Sequence, residues 1–158
     1  EACMSFNSVH MEGFDELSDT QIRAFDSFIK YAHSQGTTVI LVLSPWHPYL
    51  YGYLLTEPEQ HKGFFLVENW LRQYCADNNV PLYGSYDPAC IEGLQETDFF
   101  DGLHCGGTGI ARFFPGIPQA LADLENGTLA NPLDVHPRTS LDDPNAEPVD
   151  PDTNQQEG

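Results

Sequence analysis

The chain has 158 residues, 41% of them apolar, and a formal net charge of -18. That length suffices for one domain with a real core. Lysine occurs only at Lys30 and Lys62, so duplex nucleic acid and anionic membrane surfaces, which need basic patches, are excluded as expected partners. No apolar run approaches the length of a membrane span.

Residues 1–17 read as a loop. Ser18-Asp19-Thr20-Gln21 is a capping-box pattern that opens a helix. Ile22, Phe25, Ile29 and Ala32 recur at helical spacing, and Gly36 supplies the stop. Residues 37–43 are β-branched and continuously apolar, which predicts a central strand of a parallel sheet covered on both faces. The strand stops at Ser44-Pro45, and an aromatic-rich loop follows, with Trp46, His47, Tyr49, Tyr51 and Tyr53.

A second helix is expected over residues 59–77, with Phe64, Val67, Leu71, Tyr74 and Cys75 as its apolar stripe. Residues 80–83 form a short strand, with Pro81 marking an edge or a strand start. Residues 87–100 read as a mixed loop. A helix beginning near Thr108 is interrupted by Pro115 and Pro118, resumes through residues 119–124 and closes at Asn126-Gly127. Asn126-Gly127-Thr128 matches a glycosylation acceptor, but its reading here is a turn. Residues 131–158 are acidic and proline-rich, and they are expected to form a disordered tail behind a domain spanning residues 1–130. Alternating helices and strands imply an α/β fold with a parallel sheet.

The four cysteines, Cys3, Cys75, Cys90 and Cys105, show no CxxC pair and no zinc-ligand spacing. Cys75 falls on a helix's apolar face and is assigned to the core. His104 beside Cys105 does not make a metal site, because adjacent ligands rarely fit one tetrahedron; no metal is expected. His10, His33, His61 and His136 have no partner pattern and are assigned to the surface.

Chemistry is most concentrated at Asp101-Gly102-Leu103-His104, which follows Phe99-Phe100 and runs into a Gly-rich stretch. An acid three residues before a histidine can fix the imidazole tautomer on one nitrogen. The other nitrogen is then free to take a proton from a nucleophile. Asp98 ranks second as the orienting acid. Ser44 and Ser85 lie at or beyond strand ends, where turn or cap duty outweighs nucleophilic duty. The aromatic loop with Trp46, His47 and Tyr49 follows a strand's C-terminal end, so it is expected to line a cleft. There it either contacts substrate, by stacking on a sugar or holding an acyl group, or packs over the sheet edge or an interface.

The order of these elements resembles the C-terminal half of the SGNH, or GDSL-like, hydrolases. The matching features are the helix ending at Gly36, the strand stopping at Ser44-Pro45, the following helix and strand, and the loop with Asp101-Gly102-Leu103-His104. The resemblance covers about residues 18–125 and implies a three-layer α/β/α, flavodoxin-like fold. It also implies that His104 is the general base of a serine esterase or acyltransferase and that Asp101 orients it. The implied substrates are O-acyl esters of carbohydrates or cell-wall polymers, no cofactor is implied, and the location leans extracytoplasmic.

The family's Gly-Asp-Ser nucleophile block and its Gly and Asn oxyanion blocks are absent from this chain, which begins at Glu1. The expectation is a C-terminal part of a longer protein, with the nucleophilic serine upstream and little activity in this chain alone. The alternative is a non-catalytic carbohydrate- or protein-binding module with a degenerate fold. A third reading is an acidic interaction protein whose tail carries the function.

Overall fold

A computed structural model of the chain describes residues 13–57 and 59–139. Cys3, His10 and the expected tail beyond Thr139 lie outside these residues. The first helix, α1, is Asp19–Ser34. Its apolar residues at three- and four-residue spacing bury Ile29 and Ala32. Ser18 is the N-cap residue but forms no side-chain cap bond, so the capping box does not close. At the other end Gly36 turns the chain with φ +73°, and the Gly36 and Thr37 N–H groups return to His33 and Ala32 carbonyls.

Strand β1, Leu41–Leu43, pairs in parallel with β2, Leu82–Gly84, in the register Leu41 with Leu82 and Val42 with Tyr83. The connection between them runs through α2, Pro48–Thr56, and α3, Lys62–Asn78. Beyond β2 come two 3-10 turns, Pro88–Cys90 and Glu96–Asp98. Helices α4, Gly107–Phe113, and α5, Ile117–Asn126, follow, then a 3-10 turn at Pro132–Asp134. The structure is thus mixed helix and strand around a small parallel sheet, as an α/β chain requires.

Several sequence expectations need correction. β1 is not covered on both faces: Leu43 is buried while Val42 is 41% exposed. A sheet of two strands gives its helices too little surface to close over every side chain. Leu41 and Leu82 share a core with Ile29 of α1 and Cys75 of α3. Tyr83 points to the opposite face, since successive strand residues alternate. There it packs on Phe114 and its hydroxyl donates to Asp123 of α5.

The aromatic segment after β1 is not a loop but largely α2. Pro48 stands at its first turn, where a fixed φ and a missing N–H cost nothing. Trp46, Leu50, Tyr51 and Leu54 then form a core with Phe64 and Phe65, each worth roughly 1.5–3 kcal/mol on burial.

The stripe of α3 is also rotated from its expected position. Its buried residues are Gly63, Phe64, Phe65, Glu68, Arg72 and Cys75, whereas Val67 and Leu71 line an apolar groove of about 430 Å3 against Ile22 and Phe25 of α1. The described residues also continue the body past the expected domain end. Residues 131–139 lie along α3, held by Arg72 Nη1 donating to the Pro132 carbonyl and by Arg138 on Asp87.

Candidate functional site

Asp101 and His104 sit on a tight turn closed by antiparallel pairing of Phe99 with Cys105. The Phe100 N–H donates to the His104 carbonyl at 2.9 Å and the Gly106 N–H to the Asp98 carbonyl at 2.6 Å. Within the turn, Asp101 Oδ1 accepts the N–H groups of Leu103 and His104, each at 2.8 Å. This is the local bonding that makes Asp a turn former. Gly109 is required below the turn, because a Cβ there would meet Cys105 Sγ. Leu103 packs against the core of α2 and α3, which anchors the turn to the body.

The imidazole of His104 places Nδ1 at 2.7 Å from Asp101 Oδ2 and 2.9 Å from Oδ1. The Asp101 carboxyl is held down to about 2, first by the Leu103 N–H, then by the His104 side chain and N–H. It is therefore ionised at neutral pH and accepts only, so the His104 proton is on Nδ1 and the lone pair on Nε2. The His104 side chain is 73% exposed, which leaves that lone pair facing solvent. This arrangement can accept a proton from a hydroxyl brought to it.

Asp98 does not serve His104. Its Oδ2 accepts the Gln95 N–H and Arg112 Nε, both at 3.0 Å. Cys105, next to His104, is a free thiol whose pKa is raised, chiefly by burial and then by Asp98. It is thus a poor thiolate nucleophile or ligand. Cys75 and Cys90 are also free. Among the described residues no group of three or more His, Cys, Asp or Glu is placed to hold a metal, and no helix is long and apolar enough to cross a membrane.

The expected substrate-facing residues divide. Trp46 is only 8% exposed and packs at a tilt against Phe64, ring centroids 4.7 Å apart, so it belongs to the core. Tyr49 is 43% exposed. His47 is half-buried and caps α2, its Nδ1 accepting the Tyr49 N–H at 3.1 Å. The structure brings His47 to the acid–base turn: its N–H donates to the Gly102 carbonyl at 2.9 Å, and its ring lies edge-on to Phe99 at 5.3 Å. The Trp46 N–H donates to the Tyr86 carbonyl, continuing the strand pairing past β1. The cluster therefore gathers at the carboxyl ends of the parallel strands, where open α/β sheets bind ligands.

A charged network under these strand ends was missed by the sequence reading. Glu68 and Arg72, both nearly inaccessible, form an ion pair one helical turn apart. Glu68 also accepts the Ser85 hydroxyl at 2.7 Å and the Tyr86 N–H at 2.9 Å, while Arg72 donates to the Gly84 carbonyl at 2.8 Å. Ser85 is thus an internal link. Beside it, the Asp87 N–H donates to the Ser85 hydroxyl, while the fully buried Asp87 carboxylate accepts the Ala89 N–H and a two-pronged bond from Arg138. The only sequence signal was the placement of Glu68 and Arg72 between Phe64 and Cys75 at helical spacing.

Contrary to its expected surface position, His61 is fully buried, beside Tyr53 at 5.9 Å, and neither ring nitrogen has a hydrogen-bond partner among the described residues. His33 and His136 are exposed as expected. Asn126-Gly127-Thr128 is the turn that ends α5, with Gly127 in the left-handed region. Comparison of the chain with protein-family models, with curated proteins and with solved structures gave no match.

Proposed function

We propose that Asp101 and His104 are the acid–base half of a serine esterase or acyltransferase site of SGNH type, acting on O-acyl esters such as those of carbohydrates or cell-wall polymers. The observation that carries this reading is the pair of contacts from the Asp101 carboxylate to His104 Nδ1 at 2.7 and 2.9 Å, with the rest of the imidazole open to solvent. Helices packed against both Leu41 and Tyr83 support the three-layer α/β/α arrangement that the resemblance implies.

In the proposed reaction a serine expected upstream of this chain attacks the ester carbonyl, and its hydroxyl proton passes to His104 Nε2. A C–O bond forms and the carbonyl oxygen takes the negative charge. The alkoxide then leaves with the proton from His104, and water or an acceptor hydroxyl repeats the sequence on the acyl-serine. Asp101 stabilises the imidazolium while it exists.

The test is to read the coding DNA in frame upstream of the Glu1 codon and assay the encoded protein for acetate release from triacetin. A Gly-Asp-Ser block, with turnover falling at least ~10^3-fold in His104→Ala, supports the reading. An encoded protein without that serine, or undiminished turnover in His104→Ala, overturns it and leaves the binding-module alternative as the better account.

A further inference from the structure

His47 and His104 carry opposite tautomers. His104 has its proton on Nδ1, against the ionised Asp101 carboxylate. His47 is the reverse: its Nδ1 accepts the Tyr49 N–H at 3.1 Å, so its ring proton is on Nε2. Burial, opposed by Glu96, lowers the His47 pKa and so favours this neutral form. The two turns are joined by the 2.9 Å bond from the His47 N–H to the Gly102 carbonyl, the residue between Asp101 and Leu103.

We propose that His47 Nε2–H is an additional hydrogen-bond donor for the acyl oxygen of the substrate, beside the Gly and Asn donors that the resemblance places outside this chain. The proposal rests on the ester reading above and gives His47 a role in it that His104 cannot take. The His104 Nε2 must be an acceptor to remove the serine proton, so it cannot also donate to the carbonyl. The backbone of this segment has no donor to spare: the Trp46 N–H is bound to Tyr86, the His47 N–H to Gly102 and the Tyr49 N–H to the His47 ring, and Pro48 has none. An ester carbonyl oxygen only accepts, and it gains negative charge as the tetrahedral intermediate forms. A fixed, partly desolvated N–H therefore stabilises that intermediate more than the ground state.

The experiment uses the 158-residue protein with 15N-labelled histidines, observed through the imidazole nitrogens at pH 8 and titrated with triacetin, a neutral acetyl ester. The expected spectrum has a protonated Nδ1 in His104 and a protonated Nε2 in His47. Triacetin should shift His47 Nε2–H in the wild type and equally in His104→Ala. In His47→Asn the helix cap is kept, since Asn is a strong N-cap residue. Triacetin binding there, read from the Gly102 and Leu103 amides, should weaken about tenfold. A His104 ring protonated on Nε2 would overturn the ester reading itself. A correct His104 tautomer with His47 unprotonated at Nε2, or with His47 unmoved by triacetin, overturns this proposal alone.

Discussion

The Asp101 carboxylate accepts two backbone N–H groups and one imidazole N–H, and these bonds do two jobs at once. They set the turn, and they fix which nitrogen of His104 is available. Both depend on the carboxylate being ionised. Its pKa lies near 2, below the ordinary value of 3.8, so its contribution to folding is complete above about pH 4 and is lost as pH falls through 2. A 13C titration of the Asp101 carboxyl should therefore show a midpoint near 2, and a midpoint near 4 would mean the turn bonds do not hold in solution. Asp101→Asn removes the charge and permits the opposite amide–imidazole polarity. The imidazole 15N spectrum of His104 should then show the Nε2-protonated tautomer gaining population. In a serine-bearing form, turnover should fall by about 10^4, the cost of the wrong tautomer.

At the scale of elements, α3 holds the molecule together through a charged pair in an apolar setting. Removing one member of a buried pair strands the other, at about 3–5 kcal/mol. Glu68→Ala is thus expected to lower Tm by on the order of 10 °C, measured by calorimetry. A shift of only a degree or two would show that Arg72 finds solvent. What the sequence made legible follows from the range of each interaction. The Asp101–His104 pair and the body of α1 were readable because their geometry is local: three residues in one case, a helical period in the other. α2 was not, because its aromatic residues show no polar face and Pro48 reads as a break unless its place at the first helical turn is known. The rotation of α3 was hidden for a stronger reason. Hydrophobic patterning sends Glu68 and Arg72 outward, and the Ser85, Gly84 and Pro132 groups that reward their burial are far along the chain. The same applies to Trp46, whose burial depends on Phe64.

For the whole molecule, charge and topology matter most. A net charge of -18 repels anions within about a Debye length of the surface, so a neutral ester is the substrate form the proposed site can meet without opposition. Residues 131–139 were grouped with the tail by composition, yet they complete the body. Deleting residues 131–158 leaves Asp87 buried without Arg138, whose own side is half exposed and so partly screened. The expected loss relative to deleting residues 140–158 is about 2–3 kcal/mol, read from urea midpoints. Equal midpoints would show that the segment only rests on the surface. The Asp87–Arg138 clamp spans 51 positions, and its cation is among the last of the described residues to leave the ribosome. During synthesis the body must wait with a carboxylate still hydrated where the finished protein is dry. Closure of the clamp is therefore expected late in synthesis, and its opening is predicted to precede global unfolding. Amide exchange at Ala89 and Arg138, whose N–H groups both end on Asp87, would time that event in the native protein.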